Sequence, residues 1–113
     1  MMALAHIHVI ELGQRTSVRA AGALLSQLGA HVIAYENEQH SLSPSQMAQL
    51  MAGKIRAPWE GVAEADLEAQ LADAHIVLLS SDQPLSQAER VNDLLRAHPH
   101  LHIVDIVAER DAE

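Results

Sequence analysis

Five short aliphatic runs alternate with segments of helical periodicity, and this alternation constrains the fold more than any other feature of the chain. The runs are Ala5–Leu12 (AHIHVIEL), His31–Tyr35 (HVIAY), Lys54–Ala57 (KIRA), His75–Leu79 (HIVLL) and Leu101–Val107 (LHIVDIV). Apolar runs of this length, without strict in–out alternation, belong to strands covered on both faces. Strands joined one to the next through helices make right-handed βαβ units and a parallel sheet. The expected fold is therefore α/β, a Rossmann-like three-layer sandwich whose parallel sheet has four or five strands in the order 3-2-1-4-5. The doubtful strand is Lys54–Ala57, an edge position closed by Pro58. Residues 1–108 read as one domain and 109–113 as a frayed charged tail.

The helical segments carry their own punctuation. Val18, Ala21, Leu25 and Leu28 fall on one stripe of a helix capped by Thr16 or Ser17 and ended by Gly29. Ser43 and Gln46 form a capping box around Pro44, opening a helix on Met47, Leu50 and Met51 that stops at Gly53. Leu67 and Leu71 mark a helix over Glu64–Asp73. Ser86 with Glu89 opens a last helix on Val91, Leu94 and Leu95, broken by Pro99.

Composition removes several function classes. At 113 residues and 49% apolar content the chain can bury one core. Absence of cysteine excludes disulfides, thiolate metal sites and cysteine nucleophiles together. Fifteen acidic against seven basic residues, a net charge of −8, argue against nucleic-acid and membrane-surface partners. No run is long enough to span a bilayer, and Met1–Ile10 lacks the pattern of a signal peptide, so the expected compartment is the cytoplasm.

The stretch Val9–Glu36 (VIELGQRTSVRAAGALLSQLGAHVIAYE) carries a more specific pattern. A strand ending in an acid leads through a short loop into Ala21–Ala30 (AGALLSQLGA), then Val32–Ile33 and Glu36. It resembles the opening of family III coenzyme A transferases, the group of formyl-CoA transferase, carnitine-CoA transferase and methylacyl-CoA racemase. Weaker similarity continues at Gly53–Arg56, which aligns with the family's basic stretch. Leu71–Val77 is similar to its "L-x-x-A-D-V-x-V" strand, and Leu94–Leu101 to its "L-R-x-x-N-P-R-L" segment. The resemblance implies an amino-terminal Rossmann part whose loops face the nucleotide end of CoA. The residues it carries over are Thr16 and Ser17 in the first loop, Asn37 after the second strand, Lys54 and Arg56 in the basic stretch, and Asp82 in the turn after the fourth strand. The family's catalytic Asp lies beyond the last strand seen here. What the resemblance implies is thus a catalytically incomplete module, requiring no cofactor, that retains weak CoA binding or serves as an interaction or scaffold part of a larger protein. Neighbouring domains or a second copy are the partners it implies.

The loops depart from the family at one place with consequences. Its small "A-G-P" turn is here Ser17–Val18–Arg19. An arginine in that space needs a partner, and Glu36 or Glu11, at the ends of adjacent strands, are the expected ones. Glu36 also stands where an acid can hold a ribose hydroxyl, or can simply be solvated.

Other readings of the residues are bland or incomplete. Gly13 and Gly22 do not make a dinucleotide fingerprint. His6 and His8 alternate, as do His98, His100 and His102, but zinc needs three or four converging ligands and these sets are expected on separated segments. Ile76–Pro84 (IVLLSSDQP) resembles the phospho-acceptor strand of response-regulator receivers, with Ser80 in the place of the Asp, which makes a pseudo-receiver signalling domain the alternative. Ser80 and Ser81 lack an evident base, and no residue is assigned a catalytic role.

Overall fold

The computed structural model describes residues 4–12, 16–36, 43–58, 64–80 and 89–106. In chain order the elements are β1 (His8–Leu12), α1 (Thr16–Gln27), β2 (His31–Glu36), α2 (Pro44–Met51), β3 (Ile55–Pro58), α3 (Glu64–Asp73), β4 (Ile76–Leu79), α4 (Glu89–Ala97) and β5 (His102–Asp105). The five strands form one sheet in the order β3-β2-β1-β4-β5, and every pairing is parallel. The fold is the expected Rossmann-like α/β sandwich, with five strands rather than four.

Strand alternation assigns the two faces. Ile10, Leu12, Tyr35, Val77 and Leu79 meet Leu67 and Leu71 of α3 and Leu94 and Leu95 of α4. Val9, Val32 and Leu78 meet Val18 of α1, while Ala34 meets Met47 and Met51 of α2. So α1 and α2 cover one face and α3 and α4 the other. The chain reverses its direction across the sheet after β3, which leaves β1 central with both edges paired.

Several local signals act where expected, but Thr16 and Ser17, expected as caps, are the first two residues inside α1. The Ser43 hydroxyl accepts from the Gln46 N–H at 3.2 Å, and the Gln46 side chain accepts from the Ser43 N–H at 3.0 Å. Gly29 and Gly53 end α1 and α2 with φ of 102° and 80°, backbone that side-chain-bearing residues rarely adopt. The Ser86–Glu89 box and the turn holding Asp82 lie outside the described residues.

Tertiary pairing corrects several boundaries. β1 starts at His8, not Ala5, because its neighbour β2 begins at His31; Leu4–His6 instead turn back, with Leu4 N–H donating to the Leu28 carbonyl at 2.9 Å. β5 is confined to the four residues that β4 can pair. Leu28, expected on the buried stripe of α1, is 43% exposed because the helix has already ended and its N–H closes the terminal turn onto Leu24 and Leu25. Lys54 does not belong to β3. Its N–H is still bonded to the Met51 carbonyl, so its side chain leaves the chain from a turn.

Candidate functional site

In a doubly wound sheet the ligand crevice opens at the carboxyl ends of the strands, where the order reverses. Here that is the space beyond Leu12 of β1 and Leu79 of β4, with the start of α1 beside it. Thr16 and Ser17 are the first residues of α1 and are exposed there. Arg56 is exposed on β3, in register with Ala34 of β2 and so two strands from β1. Asn37 and Asp82 lie outside the described residues, as does the side chain of Glu36.

Lys54 sits in a different environment. Its side chain is fully buried, and its ammonium donates to the Glu11 carboxylate at 2.7 Å. A second proton goes to the carbonyl of Arg19 at 2.8 Å, and the Met51 sulfur lies at 4.0 Å. Glu11 is 1% exposed and points from β1 into the α1–α2 layer, on the same side as Val9. One ammonium thus ties β1, α1 and the α2–β3 turn together. The alternation of Lys54 and Arg56 suggested two cations facing the same way; in the structure Lys54, in the turn before β3, is buried against Glu11, whereas Arg56 on the edge strand is exposed.

The room for this pair comes from Gly22. A Cβ at Gly22 would stand 2.0 Å from Glu11 Oε1, 3.1 Å from Lys54 Nζ and 3.2 Å from Glu11 Cδ. Glycine inside a helix is unfavourable by about 0.5–1 kcal/mol relative to alanine, so its presence here is explained by the carboxylate beneath it. An acid within an apolar strand, and a glycine mid-helix in a segment otherwise rich in alanine, were the two signals in the sequence that jointly pointed to this contact.

Arg19 is also internal, at 1% exposure. Its Nη1 donates to the Met47 sulfur at 2.9 Å, toward α2. Position 19 falls on the inner face of α1, one residue after the buried Val18. Of the carboxylates expected to receive it, Glu11 is engaged by Lys54.

The histidine arrangement differs from either set suggested by sequence alternation. Parallel register stacks His31, His8 and His75 across β2, β1 and the start of β4. Ring centroids are 5.1 Å apart for His8–His31 and 5.8 Å for His8–His75, with planes inclined by 18° and 24°. The His8 N–H donates to His75 Nδ1 at 3.0 Å, so that nitrogen presents its lone pair to the backbone and not to an ion. Near-parallel rings set their nitrogens side by side rather than toward one point. Among the described residues no group of three His, Asp or Glu is placed to hold a metal. The row lies at the amino edge of the sheet, opposite the crevice. His98 and His100 meet edge to face at 5.8 Å.

With this geometry in place, the chain can be set beside known proteins. It shares its fold with part of a longer protein. The crystal structure of a hypothetical protein from Mycobacterium tuberculosis superposes with a TM-score of 0.70 over 95% of this chain, at 20% sequence identity. The chain spans about a third of that protein's length, the matched portion being 33%. No protein-family pattern and no curated protein matches the sequence. No described helix is long and apolar enough to cross a membrane.

Proposed function

We propose that this chain is an interaction or scaffold module of a larger protein, built on the amino-terminal Rossmann part of a family III CoA transferase and without catalytic activity of its own. The observation that carries this reading is the enclosure of Lys54. A lysine that serves CoA phosphates must present its ammonium to solvent, whereas this one is buried and its protons go to Glu11 and the Arg19 carbonyl. The lysine of the basic stretch that the resemblance assigns to the cofactor is instead part of the core. Thr16, Ser17 and Arg56 remain exposed, enough for weak anion contacts but not for a phosphate clamp.

The pseudo-receiver alternative fits less well. Receivers place β1 between β2 and β3 in the order 2-1-3-4-5, whereas here β3 lies outside β2. Ser80 is buried at the end of β4, and among the described residues no acidic cluster of the kind that phosphoryl chemistry on a metal needs is present.

Titration calorimetry with CoA tests the reading. The expected result is no heat, or only millimolar affinity, together with no acyl exchange between acyl-CoA donors and free acids. Micromolar binding would return the chain to the CoA-dependent enzymes.

A further inference from the structure

The described histidines gather at one edge of the sheet. Parallel strands begin at a common edge, and each of these histidines precedes or opens a strand. His6 and His8 stand at the start of β1, His31 opens β2 and His75 immediately precedes β4. His98 and His100 lie between α4 and β5, which His102 opens. Within this group one bond is unusual. The His8 carbonyl accepts from the His75 N–H at 2.8 Å. A strand residue points its N–H and its carbonyl to the same side, so the His8 N–H also faces β4. At that level β4 has not begun, and the acceptor is the His75 Nδ1 at 3.0 Å in place of a backbone carbonyl. The imidazole thus closes the end of the β1–β4 ladder. The His75 carbonyl in turn accepts from the His102 N–H at 3.0 Å, so this one residue fastens β1 and β5 together at their starts.

We propose that His75 is an acid-sensitive clasp on the sheet: its protonation replaces the Nδ1 lone pair with an N–H that faces the His8 N–H, and the joint between β1 and β4 opens at its amino end. A neutral imidazole accepts at Nδ1 while its proton sits on Nε2, whereas the imidazolium is a donor at both nitrogens. Histidine is the side chain that makes this change between pH 5 and 8. The neighbouring rings strengthen the effect. His31, His8 and His75 form one stack with centroids 5.1 Å and 5.8 Å apart, so successive protonation sets like charges against each other. The unfolded chain takes up the same protons without losing a bond or crowding charges. Stability is therefore present above the histidine range and lost as pH falls through it.

The surroundings of the row do little to offset this. His8, His31 and His75 share the sheet face of Ile10, Ile33 and Val77, on the α3–α4 side, and all three are exposed. By register, Gly53 lies beside His31 toward β3 and Leu101 beside His75 toward β5, neither of them charged. Residues 27–30, between α1 and β2, carry no charge either. The last turns of α3 and α4 end at this edge and bring Asp73 and Arg96. Arg96 is paired with Asp93 at 3.4 Å, and Asp73 is exposed, where water and salt screen its pull on an imidazolium. His98 and His100 pack on each other, and His6 is exposed in the turn before β1. His102 alternates with Ile103 and so falls on the opposite face from the row, as does Lys54, which is buried against Glu11.

Asparagine carries its Oδ1 where histidine has Nδ1 and does not titrate, so His75→Asn keeps the acceptor at every pH. Urea unfolding of the full chain, wild type and variant, is compared at pH 8 and pH 5.5. On acidification the folding constant of the wild type should fall roughly tenfold further than that of His75→Asn, about the worth of one hydrogen bond. His31→Asn should reduce the wild-type fall by thinning the stack, and His100→Asn, outside the row, should leave it unchanged. Nuclear magnetic resonance of the wild type gives a second readout. At pH 8 the His75 proton should sit on Nε2, and the His8 amide resonance should move as the His75 ring titrates. Equal acid sensitivity in wild type and His75→Asn, or a His75 proton on Nδ1 at pH 8, overturns the proposal. Should His75→Asn fail to fold, the wild-type titration decides alone, and a His8 amide that stays still while His75 titrates overturns it. CoA enters neither measurement, so the outcome is independent of the function proposed above.

Discussion

The Lys54 ammonium and the Glu11 carboxylate lie 2.7 Å apart with both side chains removed from water, joining the central strand to the turn before an edge strand. Such a pair recovers its desolvation only when the remaining protons and lone pairs are also engaged, and the Arg19 carbonyl supplies one of the needed acceptors.

Breaking this pair from one side should be severe. Lys54→Met removes the ammonium from a buried carboxylate, and Glu11→Gln leaves an ammonium facing a neutral amide. Each is expected to lose about 3–5 kcal/mol of unfolding free energy in urea titrations. Glu11→Leu with Lys54→Met removes both charges and should recover most of the loss. If the double variant is as unstable as the singles combined, the two residues are not coupled.

Gly22→Ala inverts the usual rule for helices. On an exposed helix it stabilises by up to about 1 kcal/mol, but here the added methyl meets Glu11 Oε1 and the Lys54 ammonium. The expected outcome is destabilisation by about 1–3 kcal/mol, as for other overpacked sites. In a Glu11→Ala background the same substitution should become neutral or favourable. The sign change across that double-mutant cycle is the measurement.

Tyr35, the only tyrosine, titrates late. Burial in the α3–α4 core pushes its phenol above the ordinary value of 10.0, and the negative charge of Asp66 adds to this. Because the folded state binds the phenolic proton more tightly than the unfolded chain, this contribution to stability is fully present below the ordinary tyrosine pKa and is lost as pH rises through the raised one. Absorbance of the phenolate near 295 nm should rise at higher pH in native than in urea-unfolded protein. Tyr35→Phe should flatten the alkaline limb of the stability curve. An ionisation at the free-tyrosine pH in the native state would contradict the burial.

What the chain determined by itself is local: where strands and helices fall and how helices start and stop. The aliphatic runs, the Ser43–Gln46 box, Gly29 and Gly53 are short-range signals, and the βαβ order follows because strand-to-strand crossovers have one hand. Even the strand order was legible, since an apolar β1 with two buried faces needs neighbours on both edges. The direction taken by individual polar side chains was not. Lys54 and Arg56 look equivalent in sequence, yet Lys54, in the turn before β3, closes on Glu11, and Arg56, on the edge strand, meets solvent. Arg19 lies inward because Val18 and Gly22 set the rotation of α1 on the sheet. His8, His31 and His75 form a row only because parallel register aligns residues far apart in the chain. Short-range preferences act within a few residues and are written in the sequence, whereas burial and pairing of charge depend on which segments pack together, and that is decided only when the sheet has formed.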